Sequence, residues 1–191
     1  MIAAVVLTGG KSERMGRPKA LLRFQGRTFL ERILGTVTEA GIAQAVVVVG
    51  HHREEIHQAL PDLPLIYNPD YNDGMSTSVK AGLKALPGGL QGAGIFLVDH
   101  PRIDAVTIRL LAARTRPGGI ALPIHEGRRG HPVFFAAELF EEILSLGPDQ
   151  GLNIVVRRDP GRVIEVPVPN PGVLQDIDTP EQFEILLRET T

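Results

Sequence analysis

The fold is decided by the stretch Ile2-Ala3-Ala4-Val5-Val6-Leu7, which is followed directly by the loop Thr8-Gly9-Gly10-Lys11-Ser12-Glu13-Arg14-Met15-Gly16-Arg17-Pro18-Lys19. Residues 2–7 carry no polar side chain and are rich in β-branched residues, which predicts a parallel strand covered on both faces. Gly9 and Gly10 then allow N–H groups to approach a ligand more closely than a Cβ would permit. The stretch therefore predicts a buried strand that ends in a ligand-binding loop.

Four cations lie in this loop, Lys11, Arg14, Arg17 and Lys19, although the whole chain has a net charge of −2. A polyphosphate is the ligand that such a concentration of positive charge suits. The alternative is an ordinary strand-to-helix turn with a solvated basic face. We favour phosphate binding because the glycines and cations coincide where open α/β sheets bind ligands, at the carboxyl end of a buried strand.

Two common nucleotide fingerprints do not fit the loop. A dinucleotide-binding G-x-G-x-x-G that starts at Gly9 would need glycine where Lys11 and Arg14 stand. A Walker A loop that ends in Gly10-Lys11-Ser12 would need glycine in place of Val5. A dehydrogenase and a P-loop ATPase are therefore disfavoured.

The composition predicts one globular domain over residues 1–191, with 43% hydrophobic and 22% charged residues. The near-neutral charge gives no reason to expect a nucleic-acid partner or a membrane surface. The absence of cysteine excludes disulfides, thiolate metal sites and a cysteine nucleophile. With no signal peptide or membrane-spanning run in the sequence, we expect a cytoplasmic protein.

Further apolar runs that resemble buried strands alternate with helical patterns along the chain. Two helices have capping-box signatures, at Thr28–Glu31 and at Thr179–Gln182. This alternation predicts a three-layer α/β/α sandwich with a mostly parallel sheet. The hairpin-like segment around residues 120–135 predicts a mixed edge to that sheet.

Asp99 follows the predicted strand 95–98 and would lie at the same sheet edge as the glycine loop. Magnesium commonly takes one or two carboxylates together with substrate phosphates. A helix cap is the alternative role for Asp99, but Asp104 is already available as that cap. We therefore predict a magnesium ligand at Asp99. His51, His52 and His57 lack the spacing of a helical zinc pair and are interpreted as an exposed loop and helix face.

The loop Leu7–Lys19 resembles the signature L-x-x-G-x-S-x-R-M-G-x-x-K of the nucleotidyltransferases that act on the molybdenum cofactor. More broadly it is similar to the sugar-phosphate nucleotidyltransferase superfamily. Four further segments resemble motifs of the same enzymes, most of them in the cytidylyltransferase branch: Asn68–Gly82, Asp99-His100-Pro101, Arg129-Gly130-His131-Pro132 and Asp176-Ile177-Asp178-Thr179-Pro180.

The resemblance implies a Rossmann-like nucleotidyltransferase fold and a set of site roles. The implied catalytic residues are Arg14, Lys19 and Asp99; the nucleotide-binding residues are Leu7, Thr8, Gly9, Gly10, Asn68, Gly74 and Ser78. The implied acceptor-binding residues are Arg129 and His131; the implied Mg²⁺ ligands are Asp99 and Asp178, with Asp176 as an alternative to Asp178.

The resemblance further implies transfer of a nucleotide from a nucleoside triphosphate, which we expect to be CTP, to the phosphate of molybdopterin. GTP stays open, because Leu7-Thr8-Gly9-Gly10 is closer to the L-A-G-G of the guanylyltransferases than to L-A-A-G. A sugar- or polyol-phosphate nucleotidyltransferase and a non-enzymatic carrier of the molybdenum cofactor are the remaining alternatives. A molybdoenzyme or its maturation chaperone is a further expected partner.

Overall fold

The computed structural model describes residues 1–147 and 150–189. The strands in this part of the chain are β1 (Ile2–Leu7), β2 (Arg23–Phe24), β3 (Arg27–Thr28), β4 (Gln44–Val49), β5 (Leu65–Tyr67), β6 (Gly92–Leu97), β7 (Ile120–His125), β8 (Arg128–Arg129), β9 (Val133–Ala136) and β10 (Val163–Pro167). The helices are α1 (Phe29–Glu39), α2 (Arg53–Ala59), α3 (Met75–Ala85), α4 (Ala105–Arg114), α5 (Phe140–Leu144), α6 (Asn153–Arg158) and α7 (Pro180–Arg188). None of these helices is long and apolar enough to cross a membrane.

The main sheet has the strand order β10-β7-β9-β6-β1-β4-β5, and β8 pairs with β7. The strand β1 pairs in parallel with β6 on one side and with β4 on the other, and β4 pairs in parallel with β5. Leu7, Val49, Tyr67 and Leu97 therefore end their strands at one edge of the sheet. The loops that follow these four strands are brought together there.

Helices cover both faces of the sheet. Ala4 and Val6 of β1 belong to one buried cluster with side chains of α1, α4 and α7, whereas Val5 belongs to a second cluster with α3, α5 and α6. This alternation along β1 is the pattern of a strand buried on both sides. The predicted three-layer sandwich with a mostly parallel sheet is confirmed.

The predicted helix starts are present in detail. Thr28 accepts a hydrogen bond from the backbone of Glu31 at 3.1 Å, and the Glu31 carboxylate accepts one from the backbone N–H of Thr28 at 2.8 Å. Thr179 and Gln182 form the same reciprocal pair at the start of α7. These contacts satisfy backbone donors that the first turn of a helix leaves unpaired.

The position of the antiparallel strand differs from the predicted mixed edge. The strand β9 lies inside the sheet, antiparallel to both β6 and β7. Phe134 and Phe135 explain this position, because both are fully buried and they belong to the clusters on opposite faces of the sheet. A strand with an aromatic side chain on each face gains more from an inner position than from an edge.

Candidate active site

The glycine loop begins where β1 ends. Thr8 is held against the neighbouring strand, because its backbone N–H and its hydroxyl both donate to the carbonyl of Val48 at 2.9 Å. Gly9 follows at a close approach to α3, where a Cβ would lie 2.9 Å from Oγ of Ser78. A Cβ on Gly10 would meet no atom within 4 Å, so space is open beside that residue. A side chain at position 9 would thus force Ser78 to shift, whereas Gly10 leaves the approach to the loop clear.

The rest of the loop is fixed by a tight turn and one buried side chain. Ser12 has a φ of 53°, and its carbonyl accepts hydrogen bonds from the backbones of Met15 at 3.0 Å and Gly16 at 2.9 Å. Met15 is buried in the core. The loop is therefore anchored at its middle, which leaves Arg14 on the outside and brings Lys19 back over the edge of the sheet.

Asp99 lies at the same sheet edge, as its position after β6 predicts. The backbone N–H of Val98 donates to the carbonyl of Leu7 at 3.2 Å and extends the pairing of β6 with β1. Nδ1 of His100 lies 3.1 Å from Oδ1 of Asp99. The Asp99 side chain is mostly buried, with about a fifth of its surface exposed.

Asp178 reaches the site through a backbone contact between distant parts of the chain. The N–H of Ile177 donates to the carbonyl of Asp99 at 2.9 Å. The N–H of Asp178 donates to the Gln182 side chain at 2.7 Å, which joins this residue to the first turn of α7. These two bonds place the carboxylate of Asp178 beside that of Asp99.

Lys19 joins the two carboxylates. Its Nζ lies 3.0 Å from Oδ2 of Asp99 and also donates to Oδ1 of Asp178. Arg14 donates from Nη2 to Oδ2 of Asp178 at 2.5 Å. The glycine loop, the end of β6 and the segment before α7 thus meet in one cluster of two cations and two acids.

The pKa values of the cluster follow from these contacts. Burial raises the pKa of Asp99, but the His100 hydrogen bond and the charge of Lys19 outweigh it and bring the pKa to about 2. The hydrogen bond from Lys19 lowers the pKa of Asp178. Burial lowers the pKa of Lys19, yet Asp99 and Asp178 together raise it above its ordinary value. All three groups are therefore charged at neutral pH.

The loop after β5 forms the wall opposite this cluster. Gly74 has a φ of 105° and directly precedes α3, whose Met75 and Ser78 face the cavity. Asn68 is buried beneath the loop, and its amide donates to Oγ1 of Thr77 at 2.8 Å and to Oγ of Ser78 at 2.9 Å. Asn68 is not among the described residues that line the cavity. In the structure its amide holds Ser78, which does line the cavity.

A cavity of about 640 Å³ lies between these walls. Its lining includes nearly all of the predicted nucleotide-binding, catalytic and metal-binding residues: Leu7, Thr8, Gly9, Gly10, Arg14, Lys19, Gly74, Ser78, Asp99 and Asp178. It also includes side chains that were not among the individually predicted site residues: Ile56, Tyr71, Met75 and Leu97. Of these, Tyr71 and Met75 lie within the predicted segment Asn68–Gly82. The strand-end loops thus enclose a space of the size that small-molecule sites have.

A family model described as a MobA-like NTP transferase domain matches residues 4–163. The chain belongs to this family. The predicted relation to the molybdenum cofactor nucleotidyltransferases is thereby confirmed at the level of the family. The protein also has full-length relatives with two different activities.

The nicotine blue oxidoreductase of Paenarthrobacter nicotinovorans is 30% identical, over 97% of this chain and 96% of the relative. The molybdenum cofactor cytidylyltransferase of Escherichia coli strain K12 is 28% identical, over 95% of this chain and 93% of the relative. Among solved structures, Rv0371c from Mycobacterium tuberculosis H37Rv superposes with a TM-score of 0.86 at 27% identity, covering 98% of this chain and 97% of that one. A structure of Rv0371c in complex with manganese superposes with a TM-score of 0.79 at 26% identity, covering 98% of each chain.

His52 is placed differently from the prediction. His51 and His57 are exposed, but His52 lines the cavity of this NTP transferase domain. Its Nε2 lies 2.9 Å from the carbonyl of Lys11, and its Nδ1 lies 2.7 Å from a carboxylate oxygen of Glu55. The interpretation of His52 as an exposed loop residue was wrong, because sequence spacing carries no sign of a contact with the glycine loop.

The two predicted acceptor residues separate in the structure. Arg129, on β8, donates to Glu165 of β10 at 2.7 Å, and about half of each side chain is exposed. His131 is mostly buried, with its ring centroid 5.2 Å from that of His100. Burial, aided by His100, lowers the pKa of His131 to about 4, so its ring is neutral at pH 7. Neither residue is among those that line the cavity.

The residues of the cluster fit a divalent cation that is shared with substrate. Asp99 and Asp178 are ionised carboxylates, and both contact the same ammonium group. The described residues contain no group of three or more acidic, histidine or cysteine side chains that could enclose a metal alone. Two carboxylates are the donor set that Mg²⁺ uses when phosphates supply the remaining ligands.

Proposed function

We propose that this chain transfers a nucleoside monophosphate from a nucleoside triphosphate, CTP, to the phosphate of molybdopterin or the molybdenum cofactor, and releases pyrophosphate. The observation that carries the proposal is the cluster of Arg14, Lys19, Asp99 and Asp178 beside an open glycine loop, in one cavity. Family membership and the full-length likeness to the E. coli cytidylyltransferase support the reaction and the acceptor.

The reaction needs no covalent intermediate on the protein. An oxygen of the acceptor phosphate attacks the α-phosphorus in line, the bond from the α-phosphorus to the bridging oxygen breaks, and pyrophosphate leaves with the electron pair. Lys19 and Arg14 neutralise the charge of the triphosphate and of the leaving group. The backbone around Gly10, where no side chain blocks the approach, holds the phosphates. The contribution of the protein is positioning and charge neutralisation.

Asp99 and Asp178 would hold Mg²⁺, which when bound would neutralise phosphate charge. The complex of Rv0371c with manganese supports a divalent cation in this family. His100 fixes the Asp99 carboxylate from the side, and the contacts of Ile177 and Gln182 fix Asp178. A pair of carboxylates held by such contacts is oriented before a ligand arrives.

The base is proposed from two parts of the chain. Asn68–Gly82 and Arg129–Pro132 resemble the cytidylyltransferase branch and cover more residues than Leu7–Gly10, which is closer to the guanylyltransferases. GTP is therefore the competing nucleotide. A sugar- or polyol-phosphate acceptor would use the same loop and the same Asp99.

The full-length likeness to the nicotine blue oxidoreductase makes a redox reaction the second candidate. Against it, Lys11 and Arg14 stand where a dinucleotide fingerprint needs glycine. The cavity is also lined with the charged groups that a triphosphate and a metal require. Release of pyrophosphate separates the two candidates, because a redox reaction produces none.

The deciding experiment measures pyrophosphate release with Mg²⁺ and molybdopterin, with CTP, GTP, ATP and UTP offered separately. Release with CTP alone is the expected result, and release with GTP alone would reassign the base. The same assay is repeated with sugar and polyol phosphates in place of molybdopterin, and release with these acceptors alone would make the protein a sugar- or polyol-phosphate enzyme. No release with any combination would contradict a transferase and favour a carrier of the cofactor or the redox candidate.

Replacement of Lys19 tests the proposed role of the cluster. Lys19→Ala should lower kcat/KM by about 10²-fold, as the loss of one preorganised donor commonly does. Arg17→Ala is the matched control, because Arg17 is an exposed cation of the same loop and is not among the residues that line the cavity. Its Cζ lies 5.3 Å from the ring centroid of Phe183. Equal losses in the two variants would remove Lys19 from the mechanism.

A further inference from the structure

Every oxygen of the carboxylate pair in the candidate active site already contacts a side chain of the protein. Oδ1 of Asp99 contacts His100 and Oδ2 contacts Lys19. Oδ1 of Asp178 contacts Lys19 and Oδ2 contacts Arg14. Each of the four oxygens therefore has one hydrogen-bond partner, and the Lys19 ammonium occupies the position between the two carboxylates that a shared divalent cation would take.

Lys19 is the partner that competes most directly with a metal. Its ammonium lies between the two carboxylates, and only 13% of its side chain is exposed. Arg14 contacts one of the carboxylates from the solvent side, with 69% of its side chain exposed. The two positive charges of Lys19 and Arg14 thus balance the two negative charges of Asp99 and Asp178. A free divalent cation would give this neutral cluster a net positive charge, which opposes its binding.

We infer that Lys19 is an internal counter-ion that keeps a free divalent cation out of the Asp99–Asp178 pair until a triphosphate draws its ammonium away. The inference rests on the proposed function, which assigns the metal to these carboxylates. Phosphate oxygens are strong acceptors for Lys19 and Arg14, and contact with them frees carboxylate oxygens for the metal. Metal and nucleotide binding are then coupled, and each increases the affinity for the other.

The test measures Mn²⁺ binding, not activity. The electron paramagnetic resonance signal of free Mn²⁺ is titrated with wild-type protein and with Lys19→Met and Lys19→Gln, first without nucleotide. Both neutral variants should bind Mn²⁺ about tenfold more tightly than the wild type, or more, because the competing charge is gone. Lys11→Met is the matched control, since Lys11 lies in the same loop but pairs with Glu13 at 3.8 Å; we expect less than about a threefold change there.

The second arm adds a CTP analogue with a methylene group between the α- and β-phosphorus atoms. The affinity of Mn²⁺ for the analogue in solution is measured separately. Mn²⁺ should bind to the complex of wild-type protein and analogue about tenfold more tightly, or more, than it binds to the analogue alone. In the Lys19 variants the gain should be smaller, because the competitor is already absent. Circular dichroism and thermal melting establish that each variant is folded.

Two results would overturn the inference. The first is a folded Lys19 variant that binds Mn²⁺ no more tightly than the wild type, and the second is wild-type protein whose Mn²⁺ affinity is equal with and without the analogue. The second result needs no variant, so it stands even if both substitutions prevent folding. Wild type that binds the analogue but no Mn²⁺ in either state would contradict the metal role in the proposed function as well.

Discussion

Acid should lower the free energy of unfolding of this protein by protonating Asp99, and the size of the effect follows from the structure. Folding lowers the pKa of Asp99 from an ordinary 3.8 to about 2, since the contacts with His100 and Lys19 outweigh its burial. With about 1.4 kcal/mol for each pKa unit, the ionised Asp99 contributes about 2 kcal/mol to the free energy of unfolding at neutral pH. Because folding lowers this pKa, the contribution is complete well above pH 4 and is lost as the pH falls towards 2.

The test compares wild type with the variant Asp99→Asn, which removes the titrating group but keeps the size of the side chain. Urea unfolding at several pH values between 6 and 3, with a chelator present, gives the free energy of unfolding of both proteins. At pH 3 roughly half of the Asp99 contribution is gone. The stability difference between wild type and variant should therefore shrink by about 1 kcal/mol between pH 6 and pH 3.

Asp62→Asn is the matched control, because it makes the same change of charge at an exposed position. Its stability curve should run parallel to that of the wild type. A stability difference between wild type and Asp99→Asn that stays constant from pH 6 to pH 3 would contradict this prediction. Such a result would mean that the contacts with Lys19 and His100 do not favour the ionised form of Asp99.

Three further substitutions test the glycine loop and the residue that supports its neighbour Ser78. Gly10→Ala should leave the melting temperature unchanged, since its Cβ has open space, but raise the KM for the nucleotide by about tenfold if phosphates contact this backbone. Gly9→Ala, in contrast, should lower the melting temperature, because its Cβ would lie 2.9 Å from Oγ of Ser78. Equal melting curves for the two glycine variants would contradict this distinction. Asn68→Ala should lower the free energy of unfolding in urea by about 1–3 kcal/mol, because the buried hydroxyl of Ser78 loses the hydrogen bond from the Asn68 amide. A cost below about 0.5 kcal/mol would show that the loop does not depend on Asn68.

The sequence predicts the layers of the fold and the edge at which the site lies, because both depend on local signals. An apolar run of β-branched residues predicts β1, and reciprocal side chains at Thr28 and Thr179 predict two helix starts. Parallel strands place their carboxyl ends at the same edge of the sheet, so the position of the site follows from the predicted strands alone. The position of β9 is not predicted in this way, since it depends on how Phe134 and Phe135 fill both faces of the sheet.

The directions of individual side chains could not be predicted from spacing. Asn68 lies in a segment that resembles a nucleotide-binding motif, yet its amide is directed towards Thr77 and Ser78. Arg129 is basic and stands beside His131 in a motif, but it pairs with Glu165 on the edge strand. In each case tertiary packing determines the hydrogen-bond partner of the side chain, and no local sequence pattern indicates it.

The assembly of the site depends on a part of the chain that the family match does not include. The match ends at residue 163, whereas Asp178 lies beyond it. Asp178 is held by the bond from Ile177 to Asp99 and by α7, whose Phe183 packs edge-on against Phe29 with ring centroids 5.8 Å apart. Docking of the last helix therefore completes the carboxylate pair. A change that loosens α7 would therefore weaken the contact of Asp178 with Lys19.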